Sequence, residues 1–442
     1  SCAELRAFAA LSLSQTARVR RRISLAPHLA AKLLKGDTPE VKTSIDGRLQ
    51  ALALELLEEQ IRGLKSQNVR DGAVVVLDNK TGQVLAYVGG SGSFSESPAV
   101  DMAEAHRQAG STLKPFLYGA AFAKGILRPN SWILDEPLRL AISGRGDYRP
   151  ENYDRSFHGP VSVAKALGSS LNVPAVRTID LVGVDALRDL MDSFGFAGLR
   201  SAEDYGASLA LGTADITLLE LANAYRTLAR EGRYAPISFS PMASAPPGGG
   251  RRVLAASAAR EVASILASRD ARSLTFGWES LLATPFGAAV KTGTSKDMRD
   301  NWCVGFTPAH TVAVWVGNSG GAPMWQVSGV SGAAPVWRGL MEFLQRGLPA
   351  RPYPAPPMDA PVFARGEFGR IVYPTAGSIL ALDPDIPPGH EIVQPEVDGP
   401  GQLLVDGTPL TDGRWTPLRG RHVLSLVDGA GMQIDEVKFE VR

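Results

Sequence analysis

The first two thirds of the chain alternate between hydrophobic spacings typical of helices and of strands. An amphipathic helix is predicted from Thr43 towards Lys65, with apolar residues at every third or fourth position. Two apolar runs, 73–77 and 84–88, flank a turn-like segment at 78–82, which predicts a β-hairpin. A helix that follows directly would then begin just beyond the edge of a sheet.

Helices and strands continue to residue 316, with one long interruption. Residues 127–160 are rich in Pro, Gly and Asp and are expected to form loops. A helix is predicted at 162–167, and Pro174 is expected to prevent its continuation, which would hold Ser170 and Asn172 on a turn. Further helices are predicted at 218–229 and 253–267, and strands at 288–294, 302–306 and 311–316, the last two as a hairpin in the same sheet.

After a Pro-rich stretch the pattern changes to short strands alone. Residues 349–361 are predicted to form a stiff linker. Beyond it, turns such as Asp406-Gly407 separate strands predicted at 370–373, 378–382, 391–397, 402–405, 422–427 and 436–441, as in a small β-sandwich. The predicted division is a lead-in at 1–42, an α+β domain at 43–348, the linker, and an all-β domain at 362–442.

Composition narrows the classes of protein only slightly. The 442 residues suggest two or three domains, and a net charge of +1 makes nucleic acid an unexpected partner. Cys2 and Cys303 match no metal or redox spacing, so we expect no cofactor, and Cys303 is predicted to be a buried thiol. No apolar run is long enough to span a membrane, and the chain begins with Ser1, so we expect a fragment or processed form.

A serine and a lysine stand three residues apart at a predicted helix start. Ser111 precedes an apolar run with helical spacing, which makes Lys114 its neighbour on the same face. A serine hydroxyl needs an adjacent base, and lysine can be that base only when it is neutral. Because a free lysine has a pKa of about 10.4, neutrality near pH 7 requires a shift of roughly 3 units, from burial or from a second cation. The pair therefore predicts another lysine in the site.

The predicted strand 288–294 supplies that lysine. Lys291 is followed by Thr292, Gly293 and Thr294. Gly293 is expected to let a substrate backbone lie close along the strand, and Thr294 offers a backbone N–H. Together with Ser170 and Asn172, these residues supply the parts of an acyl-transfer site: nucleophile, base, proton relay, amide ligand, carboxylate anchor and oxyanion donor.

Ser-x-x-Lys, Ser-x-Asn and Lys-Thr-Gly are the elements of class A β-lactamases and penicillin-binding proteins, and they occur here in that order. Other copies, Ser162 to Lys165 and Ser66 to Asn68, do not fit the order. The segments 150–159, 211–213, 221–225 and 299–308 resemble the transpeptidase domain of class A penicillin-binding proteins, over roughly residues 43–347. The tail resembles the C-terminal domain of the penicillin-binding protein 1C type.

This resemblance implies an antiparallel sheet flanked by helices and a peptidoglycan D,D-transpeptidase. Ser111 would attack the penultimate D-Ala carbonyl of a stem peptide, with Lys114 as general base. Ser170 would relay a proton and Asn172 would hold the substrate amide. Lys291 and Thr292 would bind the carboxylate, and the N–H groups of Ser111 and Thr294 would form the oxyanion hole.

The resemblance also implies partners and a compartment. Stem peptides and β-lactam antibiotics would bind the site, and a periplasmic protein would bind the C-terminal domain. The full-length protein would be periplasmic and anchored in the inner membrane through an N-terminal region absent from this chain. Residues 1–42 do not resemble the glycosyltransferase of class A proteins, so that activity is not expected.

Three alternatives remain open at this point. A D,D-carboxypeptidase would differ only in using water as the acceptor. A β-lactamase would need a second base, for which Glu220 is the candidate, although it falls within a predicted helix. A non-enzymatic sensor or binding module is the third alternative. For the tail alone, binding is the preferred hypothesis, and a purely structural cap is the other one.

Overall fold

A computed structural model of the chain describes residues 24–36, 40–142, 146–242, 249–356, 362–363, 369–375, 377–382, 391–398, 400–410, 413–427, 431 and 433–442. Most of the predicted lead-in and the end of the predicted linker, 357–361, lie outside these ranges. What the structure describes of the lead-in contains one short helix, Pro27–Leu33.

The helices and strands follow one another as a mixed α/β unit and then a run of strands. The helices are α1 (Pro27–Leu33), α2 (Gly47–Gly63), α3 (Lys114–Ala123), α4 (Val163–Gly168), α5 (Asn172–Val182), α6 (Val184–Ser193), α7 (Ala202–Tyr205), α8 (Leu218–Ala229), α9 (Ala256–Ala267), α10 (Arg269–Phe276) and α11 (Ala334–Gln345). The strands are β1 (Asp71–Asp78), β2 (Val84–Val88), β3 (Arg107–Gln108), β4 (Ser131–Asp135), β5 (Leu140–Ile142), β6 (Gly146–Tyr148), β7 (Gly159–Ser162), β8 (Asp215–Ile216), β9 (Arg233–Tyr234), β10 (Arg251–Arg252), β11 (Ala289–Thr294), β12 (Asp300–Phe306), β13 (His310–Gly317), β14 (Val362–Phe363), β15 (Arg370–Tyr373), β16 (Ile379–Leu380), β17 (Glu396–Asp398), β18 (Gln402–Val405), β19 (Thr408–Pro409), β20 (Gly420–Val427) and β21 (Gln433–Val441).

A five-stranded antiparallel sheet with the order β11-β12-β13-β1-β2 forms the centre of the α/β unit. Both predicted hairpins are confirmed as parts of this sheet. The two hairpins join through β1 and β13, which pair from Asp71 opposite Gly317 to Asp78 opposite His310. The sheet is therefore assembled from segments far apart in the sequence.

Helices cover both faces of this sheet, which confirms the predicted fold class. Alternate residues of β1 enter different hydrophobic clusters, because successive side chains of a strand point to opposite faces. Val74 packs with Leu57 of α2 and Trp337 of α11. Val75 belongs to the cluster that contains Phe116 of α3, together with residues of α8 and α9.

The expectation that residues 127–160 form only loops is wrong. The segment contains β4, β5, β6 and the beginning of β7, and β4 pairs with β7 in antiparallel fashion. These strands have three to five residues each, and β6 and β7 contain Gly or Pro, so their apolar alternation is too brief to distinguish from a loop. The two described residues of β14 pair with β4 on its other side.

Pro174 does not end regular structure as predicted. Helix α5 begins at Asn172 and contains Pro174 in its first turn. A proline is tolerated there because the first N–H groups of a helix have no helical acceptor. The predicted turn exists one step earlier, at Ser170, which has a positive φ of 62° between α4 and α5. Asn172 is therefore the first residue of a helix.

The tail consists of strands in the part that the structure describes. A five-stranded sheet has the order β16-β21-β20-β18-β19, and β15 pairs with β17 separately. Ile371 of β15 and Leu424 and Phe439 of the larger sheet share one hydrophobic cluster, as in a small sandwich. Strand β17 is shorter than predicted, and β19 was not predicted. Within the predicted linker, Tyr353 packs on Phe306 of the α/β unit, with ring centroids 5.8 Å apart.

Candidate active site

Ser111 lies at the edge of the main sheet, next to β11. It belongs to a 3-10 turn, Gly110–Leu113, that runs directly into α3. The predicted first helical turn is therefore a tighter 3-10 turn. Strand β11 forms this edge of the sheet, and β2 forms the opposite edge. The β1–β2 hairpin, which precedes Ser111 in the sequence, is therefore not the edge next to Ser111.

Two glycines allow the Ser111 turn to lie directly against β11. Gly110 has φ +55°, and a Cβ there would be 2.6 Å from the carbonyl oxygen of Thr294. A Cβ on Gly293 would be 2.8 Å from the carbonyl oxygen of Ala109. Gly293 therefore admits the nucleophile segment itself, whereas the sequence suggested that it admits a substrate backbone.

A Gly110→Ala substitution is expected to separate the turn from β11. The added methyl group meets backbone atoms that cannot move independently, and the positive φ adds about 1 kcal/mol of strain. We expect destabilisation of about 2 to 4 kcal/mol and loss of reactivity at Ser111, measured by denaturant unfolding and by penicillin labelling.

Gly125→Ala is the matched control, because Gly125 has φ +66° with nothing within 4 Å of the added Cβ. It carries the same conformational strain without the collision, and labelling should persist. Equal effects in the two variants would contradict close packing as the cause.

Lys114 is completely buried, and its amine is held by three acceptors. Nζ donates to the carbonyl oxygens of Ser170 and Leu171 at 2.6 and 3.0 Å, and to Oδ1 of Asn172 at 2.6 Å. Burial lowers the pKa of Lys114 well below its ordinary value, and the neighbouring charge of Lys291 lowers it further. These are the two causes that the sequence argument required for a neutral lysine.

Lys291 is also buried, and a hydrogen bond to Ser170 connects it to the site. Its Nζ donates to Oγ of Ser170 at 2.7 Å and to the carbonyl oxygen of Thr292 at 2.8 Å. Burial lowers the pKa of Lys291 to about 7, so its charge changes within the physiological range. Ser170 therefore bridges the two lysines, by its backbone carbonyl to Lys114 and by its hydroxyl to Lys291.

A cavity of about 880 Å³ opens in front of these groups. Five of the predicted residues are among those that line it: Ser111, Ser170, Asn172, Thr292 and Thr294. Both lysines lie behind this lining. Sequence reasoning did not single out several other lining residues, namely Gln108, Ser208, Phe276, Ser328 and Val330. Glu151, Tyr153 and Thr213 also line the cavity, and they lie in segments that carry the resemblance.

Asn172 is anchored by the segment 150–159. Its Nδ2 donates to the carbonyl oxygen of Glu151 at 2.8 Å, and its backbone N–H donates to Oδ1 of Asn152 at 2.7 Å. The segment was noticed in the sequence only as part of a resemblance, and no role followed from it.

Glu220, the candidate second base of a β-lactamase, and the second Ser-x-x-Lys copy both have structural roles. Glu220 forms a capping box with Thr217, and its other oxygen accepts from the N–H of Ala197. It does not line the cavity, so it is not the second base that a β-lactamase needs. In the second Ser-x-x-Lys copy, Ser162 caps α4 and Lys165 pairs with Asp270.

The described ranges contain neither a candidate metal-binding group nor a candidate membrane-spanning helix. No group of three or more His, Cys, Asp or Glu residues there could hold a metal ion. Helices in the same ranges are all too short or too polar to cross a bilayer. Cys303 is free and buried, as predicted.

The fold and the site define a serine acyltransferase type of protein. A family model described as the penicillin binding protein transpeptidase domain matches residues 72–342, and one described as the Penicillin-Binding Protein C-terminus Family matches residues 365–439. The chain belongs to the penicillin-binding protein transpeptidase family.

Individual relatives agree with this assignment. Penicillin-binding protein 1C of Escherichia coli strain K12 is 31% identical over 342 residues, which are 76% of this chain and 43% of the relative. Penicillin-binding protein 1F of Bacillus subtilis strain 168 is 31% identical, covering 63% of this chain and 39% of the relative. The chain thus spans less than half the length of these relatives.

Solved structures give the same result. The penicillin-binding protein PonA1 of Mycobacterium tuberculosis is 26% identical, with a TM-score of 0.60 over 72% of this chain and 88% of that one. PonA1 has also been solved in complex with penicillin V, and it matches there with a TM-score of 0.59 at 25% identity, over 72% of this chain and 89% of that one.

Proposed function

We propose that this chain is a peptidoglycan D,D-transpeptidase that forms an acyl-enzyme at Ser111. The observation that carries the proposal is the pair of buried lysines, Lys114 and Lys291, bridged by Ser170 at a cavity that Ser111 lines. A buried lysine whose pKa is lowered can act as a general base. A serine hydroxyl needs such a base next to it to become an effective nucleophile.

Acylation would begin with proton transfer from Ser111 to neutral Lys114. A neutral amine has two N–H bonds and a lone pair, whereas the three acceptors around Nζ suit an ammonium. Deprotonation therefore releases one of these bonds and frees a lone pair for the serine proton. Ser111 Oγ then bonds to the penultimate D-Ala carbonyl carbon, and the N–H groups of Ser111 and Thr294 stabilise the oxyanion.

The tetrahedral intermediate would collapse when the leaving amine receives a proton. The Ser170 hydroxyl delivers that proton, and Lys291 replaces it through the 2.7 Å hydrogen bond. Lys291 and Thr292 also bind the terminal carboxylate of the donor, and Asn172 holds its amide. Terminal D-Ala leaves. An amine of a second stem peptide then attacks the ester carbonyl, its proton passes through Ser170 to Lys291, and Lys114 returns a proton to Ser111 Oγ as the ester bond breaks.

β-Lactams would acylate the same serine. Attack by Ser111 breaks the ring amide bond, and the ring nitrogen stays attached to the acyl group, so nothing leaves the site. We further propose that 43–348 acts as the catalytic domain in the periplasm and that 362–442 binds a protein partner. The described part of the tail consists of strands and loops and contributes no lining residue to the cavity, which supports binding over catalysis.

Product analysis tests the choice between transpeptidase and carboxypeptidase. The chain is incubated with a pentapeptide ending in D-Ala-D-Ala and an excess of an amine acceptor, and products are separated by mass. We expect release of D-Ala together with the acceptor adduct. Free tetrapeptide as the sole product would replace the transpeptidase proposal with the carboxypeptidase one.

A further inference from the structure

A buried carboxylate lies outside the cavity and is connected to it by hydrogen bonds. Asp135, the last residue of β4, is completely buried and does not line the cavity. Asn152 Nδ2 donates to both of its carboxylate oxygens at 2.8 Å. His158 donates its backbone N–H to Oδ2 at 3.1 Å, and its ring Nδ1 is 2.8 Å from the same oxygen.

The connection continues from Asp135 to the predicted base. Oδ1 of Asn152 accepts the backbone N–H of Asn172 at 2.7 Å, and Oδ1 of Asn172 accepts from Nζ of Lys114 at 2.6 Å. Asn152 is itself buried at the wall of the cavity, and both ends of its amide are hydrogen-bonded. A change at Asp135 therefore reaches Lys114 through two amide side chains.

Asp135 determines which way the amide of Asn152 points. Nδ2 of Asn152 faces the carboxylate and the carbonyl oxygen of Ser156, while its Oδ1 faces an N–H group. In the opposite orientation, oxygen would face the carboxylate and NH₂ would face the N–H of Asn172, and both contacts are repulsive. The start of α5, which carries Asn172, is thereby held in one position.

The negative charge of Asp135 acts on Lys114, in addition to the hydrogen bonds that Asp135 makes. Burying a carboxylate is costly unless it is paired or hydrogen-bonded, and a neutral amide could make many of the same contacts. Asp135 raises the pKa of Lys114, which opposes the effects of burial and of Lys291. Lys291 and Asp135 are the charged groups that act on Lys114, with opposite signs.

We propose that Asp135 is a positioning residue of the acyl-transfer site, acting through Asn152 on Asn172 and Lys114, with His158 holding its carboxylate. The inference rests on the proposed function. Asp135 touches no substrate. It acts by fixing the Asn172 amide, which would hold the substrate, and the Lys114 amine, which would accept the proton of Ser111.

Asp135→Asn tests the relay in the whole chain, with the rate of acylation by benzylpenicillin measured between pH 5 and 9. We expect the rate to fall at least tenfold at pH 7, because Asn172 and Lys114 lose their fixed positions. We also expect the acid limb of the rate profile to move to lower pH, because removing a negative charge favours neutral Lys114 further. Asp189→Asn is the control, since Asp189 is exposed on α6, pairs with Arg188 on the same helix and does not line the cavity.

A second pair of variants covers the case in which Asp135→Asn fails to fold. His158→Ala removes the ring contact with Asp135, whereas His158→Asn retains an N–H at the position of Nδ1. We expect slow acylation in the alanine variant and recovery in the asparagine variant. Unchanged rate profiles in Asp135→Asn and His158→Ala, or slower rates with neither the pH shift nor the recovery, would overturn the relay. If the unmodified chain itself is not acylated, the proposed function fails instead.

Discussion

Replacing Ser111 with alanine is expected to abolish covalent labelling by benzylpenicillin. Intact-mass measurement of the unmodified chain should show one stable penicilloyl adduct, and the Ser111→Ala chain should show none. The reason is chemical, because the ester forms on Oγ and alanine has no atom to replace it. The side chain is small and half-buried at the cavity, so the fold should survive the substitution.

Ser162→Ala is the control for that measurement. It removes the serine of the second Ser-x-x-Lys copy, whose hydroxyl caps α4, and should cost about 1 kcal/mol of stability without loss of the adduct. An adduct that persists in Ser111→Ala would refute the assignment of the nucleophile. Rapid turnover of penicillin by the unmodified chain, with no stable adduct, would favour a β-lactamase with a base other than Glu220.

A Lys114→Met chain is expected to acylate about 10² to 10⁴ times more slowly, the usual contribution of a positioned general base. Methionine approximates the length of the buried stem but cannot accept the proton of Ser111. It also leaves the three acceptors around Nζ without their donor, so some loss of stability is expected. Stopped-flow acylation and thermal unfolding on the same samples separate the two effects.

The pH dependence of the acylation rate is a further test of Lys114 as the base. Burial and Lys291 lower the pKa of Lys114 well below its ordinary value, so the neutral form that accepts a proton is present at lower pH than in a free lysine. Acylation of the unmodified chain should therefore not require pH above 10, and its acid limb should disappear in Lys114→Met. Lys165→Met, the equivalent change in the second copy, should leave the profile intact, since Lys165 makes a half-exposed ion pair with Asp270. A comparable loss in both variants would argue against Lys114 as the base.

The parts of the fold with long periodic patterns were predictable. Helix α2 and the strands of the main sheet were recognised because their buried positions recur over many residues. The strands between 131 and 162 were not predicted, because each is too short to show a periodic pattern. They are defined by pairing, β4 with the more distant β7 and β5 with β6. Pro174 misled for a different reason, because whether a proline breaks a helix or begins one depends on which turn it occupies.

In the candidate site, too, some residues were predictable from the sequence and others were not. Motif chemistry alone led to Ser111, Lys114 and Lys291, and the structure brings their segments together at one cavity. Asp135 and Asn152 could not be found in this way, because an aspartate after a strand and an asparagine in a loop are ordinary in any sequence. Their importance arises from hydrogen bonds between segments, which only the tertiary structure reveals.

The pairing of β1 with β13 bears on the order in which the protein can mature during synthesis. A nascent chain that ends near residue 250 already contains Ser111 and Lys114, but it lacks β13, one of the two neighbours of β1, and the strand that carries Lys291. Such an intermediate has no wall against which the Ser111 turn can pack. Reaction with a fluorescent penicillin would then report completed folding of the domain, and a stalled or truncated translation product would stay dark however much of it accumulates.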